Sequence, residues 1–396
     1  MRIALWNASS LDNVGDRLLD YIVRRELKRR LPHCTIDTFS PWSSDVRRRL
    51  VVDRKGAWAG EGKYRAILIG GGALLMGPPF LHPALQYFFL GPYPESFRDQ
   101  CMVIWNAVCS DTQYLAPLSL PWRGYVMSAA QRIAHLTVRN RRTRKFLKDC
   151  GVNKQIKLVA DPAVLMAKPR KPSHHLRGRL RIGVLCAALE FPTKFIDLMK
   201  RSAIANAEHV NPNVVRLLNH EQKKNLDHEE CFRRLAASLR AIDHAIPLEV
   251  CGLHNMYEDH LMAAKLAKEL GTSIGPQLSH PVGRDLLKWI RTLDCLIGFR
   301  LHHCILSLVA GTPLVGIDLY YDAGAGTSKL KEFITSSPEI GSYVTIEDLL
   351  SGDVSHLNQL VERALSVRGC VADIHADMHN KSHSHFDWLA EVIACE

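Results

Sequence analysis

The residues best equipped for chemistry lie close together, in Gly298 to Tyr321, GFRLHHCILSLVAGTPLVGIDLYY. Arg300 is a permanent cation with a planar donor fork, suited to carboxylate or phosphate. His302 can give or take a proton near neutral pH. Two residues apart, they suggest acid–base work on a small anion. His303 is adjacent and must face another direction on a helix, so one histidine is expected to be functional and the other structural.

The elements around them give them a place. A short apolar strand, Asp294 to Phe299, runs into Arg300-Leu301-His302-His303. A helix follows to Gly311, then Thr312-Pro313 and a buried strand, Leu314 to Asp318. This pattern is a parallel βαβ unit, in which ligands sit beyond the carboxyl ends of strands at helix N-termini. Arg300 and His302 fall there.

Other constellations are less specific. Gly70-Gly71-Gly72-Ala73 follows an apolar strand and is expected to open a helix, with glycine allowing close backbone approach to a ligand. It lacks GxGxxG spacing and a Walker lysine, so a tight strand-to-helix turn competes with the ligand reading. Asn13 and Asp16 occupy the loop after the first strand; Asp16 is a base toward a sugar hydroxyl or the cap of the next helix. Asp161, in Asp161-Pro162-Ala163, reads as a buried aspartate accepting backbone N–H bonds at the domain edge. Arg139 ends a short strand and points toward a ligand, or forms a surface ion pair. His375, His379 and His383 recur at i, i+4 and i+8, with His385 nearby. No carboxylate or cysteine completes a metal set, so they read as a solvated face or frayed tail.

Strands and helices alternate almost throughout. Strands are expected at Arg2 to Trp6, Thr35 to Phe39, Arg65 to Ile69, Met102 to Val108, Leu136 to Val138 and Ile156 to Ala160. Helices are expected at about Arg17 to Leu31, around Ser128 to Ala134 and at Arg141 to Cys150. After the proline-rich, basic stretch 168–181 the pattern restarts with Ile182 to Cys186, Cys231 to Ile242, Leu248 to Cys251 and Glu258 to Leu270. Asn206 to Glu230 is polar and weakly periodic: a long loop or lid, or a helix without a clear periodic signal. The expected fold class is α/β: two Rossmann-like, doubly wound parallel-sheet domains facing a cleft. Their bounds are 1–170 and 180–354, with a helical segment, 355–396, returning toward the first domain.

Composition narrows the function classes. The chain has 396 residues, 47% of them apolar, with 51 Lys+Arg against 40 Asp+Glu. The basic balance favours anionic partners: phosphorylated substrates, acidic lipid surfaces or nucleic acid. No aromatic-interleaved basic stripe of the RNA-binding kind is present, so nucleic acid is not expected. No apolar run is long enough to span a bilayer, and the N-terminus enters a strand pattern without a secretory signal. Eleven cysteines without CxxC pairs fit reduced thiols and a cytoplasmic setting.

Five motifs in order, NVGD (Asn13 to Asp16), IGGGALL (Ile69 to Leu75), LTVR (Leu136 to Arg139), ADPA (Ala160 to Ala163) and FRLH with AGTPLVGID, resemble the polysaccharide pyruvyl transferases. The resemblance implies the glycosyltransferase B architecture, phosphoenolpyruvate as co-substrate with no separate cofactor, and a pyruvate ketal on a saccharide as product. It implies Arg300 as a donor ligand and His302 as general acid. Arg139, Lys329 and His303 are secondary donor contacts on this reading; Asn13, Gly71, Gly72 and Asp161 stand on the acceptor side, with Asp16 catalytic. The acceptor would be a saccharide, free or lipid- or nucleotide-linked, reached in the second case by peripheral membrane association. The chain departs from the family where Gly298 replaces a frequent serine. It departs again where a Gly-rich insertion after Tyr321-Asp322 moves the next lysine to Lys329. A glycosyltransferase with a nucleotide-sugar donor, and a non-catalytic anion-binding member, are the alternatives.

Overall fold

In the computed structural model, the described residues are 1–7, 14–40, 63–75, 101–110, 120–170, 180–189, 228–242, 246–252, 257–275, 284–319 and 328–395. Asn13, most of the Asn206–Glu230 stretch, residues 171–179 of the basic stretch and the Gly-rich insertion lie outside them. Contacts divide the chain into two units: residues 1–162, 197–221 and 381–396, and residues 163–196 and 222–380.

The first unit is built on a parallel sheet. Its strands are β1 (Arg2–Trp6), β2 (Thr35–Phe39), β3 (Ala66–Gly70), β4 (Ala73–Leu75), β5 (Met102–Ser110), β6 (His135–Val138) and β7 (Ile156–Leu158). The order is β2-β1-β3-β5-β6-β7, with β4 continuing beside the end of β5. Helices α1 (Val14–Arg30), α2 (Leu120–Arg132) and α3 (Arg141–Asp149) connect them. The strands are runs of apolar residues because both faces are covered: every residue of β3, AILIG, is buried. One face packs Trp6, Ile67, Ile69 and Trp105 against Ala130, Ile133 and Leu147. Burying a large side chain of this kind contributes roughly 1.5–3 kcal/mol.

The second unit repeats the logic. Strands β8 (Ile182–Cys186), β9 (Leu248–Gly252), β10 (Cys295–Gly298), β11 (Leu314–Asp318) and β12 (Gly341–Thr345) form a sheet of order β12-β11-β10-β8-β9. All pairs are parallel. Its helices are α4 (His228–Arg240), α5 (Tyr257–Leu270), α6 (Arg284–Ile290), α7 (Leu301–Ala310), α8 (Lys329–Thr335), α9 (Ile346–Ser351) and α10 (His356–Ser366). The last helix, α11 (Val371–Cys395), gives its first ten residues to this unit and the rest to the first.

Each sheet is doubly wound. The chain leaves β1 for β2 on one side and reaches β3 on the other; it leaves β8 for β9 and returns to β10. In such sheets ligands bind outside the carboxyl ends of the strands where the order reverses. Those points are β1/β3 in the first unit and β8/β10 in the second.

Three expectations change. Ala73–Leu75 after the glycine triplet is a strand, not a helix, because the triplet is stitched to β5: Gly71 N–H donates to the Asn106 carbonyl and Cys109 N–H to that of Gly72. Helix α1 begins at Val14, so Asp16 lies within its first turn and is not the cap. The terminal histidines are neither frayed nor a solvated face: α11 is continuous, and His375 and His385 are buried. Among the described residues no group of His, Cys, Asp and Glu could hold a metal ion, and no helix is long and apolar enough to cross a membrane.

Candidate active site

In the second unit, β10 delivers its last residue, Gly298, against the start of α7. A Cβ at Gly298 would meet the His303 Cβ at 2.8 Å. A side chain at this position would therefore push against the first turn of α7. Arg300 occupies the N-cap position in extended conformation and its side chain makes no cap bond. Its guanidinium turns toward Asp259 in the first turn of α5, with Nη2 at 3.0 and 3.1 Å from the two carboxylate oxygens. Asp259 is fully buried and its Oδ1 also accepts the Ala188 N–H, 2.7 Å away, just beyond β8. One carboxylate thus joins the ends of β8 and β10 at the point of reversal.

His302 follows on α7, half-buried. His303 is fully buried, and its Nδ1 accepts the Phe299 N–H at 3.3 Å. Burial, reinforced by Arg300 and His302, pushes its pKa well below the usual histidine value. Fully buried, His303 braces the turn through its bond with Phe299. Lys329 opens α8, which Ser328 caps by accepting the Lys331 N–H. The Ser328 hydroxyl in turn donates to Asp318 at the end of β11, and the Tyr343 hydroxyl does so at 3.0 Å.

In the first unit, Arg139 follows β6 and is 5% exposed. Its Nη1 donates to Asp161 Oδ2 at 2.5 Å and its Nη2 to Cys109 Sγ at 2.9 Å. Burial works against its charge, but Cys109, Asp161 and Asp16 hold its pKa above the ordinary arginine value. This corrects two expectations. The Arg139 ion pair is interior, not on the surface, and the buried Asp161 carboxylate has a guanidinium as its partner. The structure brings Asp16, Arg139 and Asp161 into one electrostatic cluster at the carboxyl edge of β5 and β6.

That edge is shaped by a bulge. Register between β5 and β6 shifts after Trp105, and Ala107 has φ +51°, a left-handed conformation costing an alanine on the order of 1 kcal/mol. Thr137 holds it: Oγ1 accepts the Ala107 N–H at 2.9 Å and donates to the Trp105 carbonyl at 2.8 Å. A Cβ at Gly70 would sit 1.8 Å from the Asn106 carbonyl oxygen, so the close approach that glycine permits here is to β5. Asn106 Oδ1 meets His385 Nε2 at 2.8 Å, and the His385 ring stacks on Trp388.

Sequence reasoning missed Asp259, Asn106 and Thr137. Asp259 carried a signal, an acidic residue in the first turn of a helix after a strand, but most such acids only complement the helix dipole. Thr137 stood inside the LTVR motif without a role of its own and Asn106 carried no signal, since what they do exists only across the bulge.

The family model described as polysaccharide pyruvyl transferase matches residues 13–319. No curated protein matches the chain. Among solved structures, Alr3699/HepE of Anabaena in complex with UDP is 12% identical, each chain covered in full, with a TM-score of 0.54. The same protein with UDP-glucose gives 11% and 0.54 over the full length of both chains. The S. aureus MnaA–UDP structure gives 7% and 0.53 over 99% of this chain and 96% of that one. At these identities the likeness shows the fold: two Rossmann-like parallel-sheet domains, as the alternation of elements predicts, of the glycosyltransferase B-like class that the family resemblance implies.

Proposed function

The chain belongs to the polysaccharide pyruvyl transferase family, a family of polysaccharide-modifying transferases, and from that premise we propose that it moves pyruvate from phosphoenolpyruvate onto a saccharide as a ketal, releasing phosphate. The family match over residues 13–319, the span that holds the five motifs, carries the reading. The position of Arg300 and His302 at the head of α7, beside the reversal of the second sheet, supports it.

Phosphoenolpyruvate presents a carboxylate and a phosphate. Arg300 offers a guanidinium edge, held by Asp259, and the first turn of α7 offers backbone N–H donors. His302 protonates the methylene carbon, which leaves the adjacent carbon electron-poor. A sugar hydroxyl adds there and loses its proton. The bond from that carbon to the phosphate oxygen breaks, phosphate leaves, and a second hydroxyl adds with loss of its proton to close the ketal. A positioned acid for the first step is worth about 10²–10⁴-fold. Lys329 is a secondary anion contact. Arg139, its fork engaged by Asp161 and Cys109, acts by bracing the carboxyl edge of β5 and β6 behind the ligand. The first unit holds the acceptor, with Asp16 as base or orienting acceptor toward its hydroxyls.

The test is incubation with phosphoenolpyruvate and a panel of free, lipid-linked and nucleotide-linked saccharides, reading phosphate release. A second reading rests on HepE and MnaA, whose structures hold UDP or UDP-glucose: a nucleotide-sugar donor. Turnover with such donors and none with phosphoenolpyruvate would select it.

A further inference from the structure

Helix α3 reads RRTRKFLKD and divides cleanly into two faces. Thr143 and Leu147 are buried and Phe146 packs half-buried against the core of the first unit. Arg141, Arg144, Lys145 and Lys148 are exposed. Their spacing is i, i+3, i+4 and i+7, so they form one stripe along the helix. A single acid, Asp149, lies on the helix, paired with Lys145. The Lys148 ammonium donates to the Lys154 carbonyl and the Lys154 ammonium to the Ile133 carbonyl, and neither of these bonds to a neutral carbonyl cancels charge.

Two exposed apolar side chains lie on the same side of the sheet. Met127 on α2 is 38% exposed, and a Cβ at Gly151, just past α3, would meet its Sδ at 3.2 Å. Leu158 on β7 is also 38% exposed. Ile156, two residues earlier, packs with Leu147 in the same core, and strand alternation sends Leu158 to that side too. Strand β7 is the edge of the sheet.

We propose that this face of the first unit docks on an anionic lipid surface. A stripe of cations with apolar side chains beside it matches headgroup charge and the acyl boundary together. A single-stranded nucleic acid would ask for exposed aromatic rings to stack on, and the one ring of α3, Phe146, is turned inward; a duplex would use the cations alone and leave the exposed Met127 and Leu158 without a role. The inference extends the proposed function by bringing the unit assigned to the acceptor to where lipid-linked saccharides reside. Its test reads no turnover, so the two stand or fall separately.

The experiment is vesicle co-sedimentation at about 0.1 M salt. Phosphatidylcholine vesicles with and without phosphatidylglycerol are compared for the wild type, for Arg141→Glu/Arg144→Glu/Lys148→Glu, and for Lys268→Glu/Lys288→Glu/Arg363→Glu. The last changes net charge equally on helices of the second unit. Each cation near an anionic bilayer is worth roughly five-fold in partitioning. The α3 variant should therefore bind phosphatidylglycerol vesicles about 10²-fold less well, while the control stays within a few-fold of wild type. Both variants should keep the wild-type melting profile; if the α3 triple does not, Arg144→Gln/Lys148→Gln serves instead, with a smaller loss expected. The proposal is overturned by wild type that ignores anionic vesicles, by equal losses in both variants, or by tighter α3-dependent binding to a duplex oligonucleotide.

Discussion

The Arg300 guanidinium and the Asp259 carboxylate face each other at 3.0 Å, with Asp259 wholly inside the protein and Arg300 at the head of α7. The carboxylate also takes the Ala188 N–H, so it ties the pose of Arg300 to the ends of two neighbouring strands. Arg300→Lys keeps the charge but loses the fork. The expected result is a clear rise in the KM for phosphoenolpyruvate with kcat less affected. Asp259→Asn should move KM in the same direction, since it removes charge and keeps the shape. Unchanged donor kinetics in both variants would mean that the pair only holds the fold.

His302→Gln should cut turnover about 10²-fold or more while the protein still melts normally. His303→Gln has a different signature. It disturbs a buried ring that accepts the Phe299 N–H, so its first effect should be a lower melting temperature. Near-wild-type turnover in a folded His302→Gln protein would remove that residue as the acid.

Asp16→Asn tests the first unit. Asp16 sits in the first turn of α1, where a negative charge is worth about 0.3–1 kcal/mol. Stability should fall by no more than about 1 kcal/mol. Acceptor affinity or turnover should fall further, because the same charge helps hold Arg139. A variant with wild-type kinetics would leave Asp16 as a helix-dipole residue.

Acid stability follows from His385. Burial, with Lys157 and Arg30 adding, lowers its pKa to about 3, against an ordinary value of about 6.5. The unfolded chain therefore binds this proton more readily than the folded one. The associated stability is full above about pH 6.5 and is lost as pH falls toward 3, on the order of a few kcal/mol. Buried His303 and His375, also lowered, act in the same direction. Denaturant midpoints measured from pH 7 to 4 should fall steadily, and His385→Gln should flatten that slope. An unaltered slope in the variant would falsify the assignment.

A last expectation concerns Gly70. Gly70→Ala would drive its Cβ into the Asn106 carbonyl, and a strand backbone cannot step aside cheaply. Expression of folded protein should be lost, whereas Gly124→Ala, which meets nothing within 4 Å, should fold. Wild-type stability in Gly70→Ala would show that the β3–β5 approach yields to a methyl group.

The sequence by itself determined the α/β class and most strand positions. Buried parallel strands such as AILIG and the LVGI of LVGID must be apolar, and the helices between them must show one apolar face; both are local periodicities. Arg300 and His302 were legible for the same reason, since a strand end followed by a helix start places a side chain at the carboxyl edge whatever the rest of the chain does. What the tertiary structure decided is who stands opposite. Asp259 lies 41 residues from Arg300 and Asp161 lies 22 from Arg139, and no periodicity links such pairs. The glycine triplet read as a ligand loop because glycine records only that something comes close. Folding decided that the neighbour is the β5 backbone. The terminal histidines read as solvent-facing because they are polar. Packing of α11 buries His375 and His385, and the hydrogen bonds to Val164 and Asn106 that make this tolerable come from segments 211 and 279 residues away in the chain.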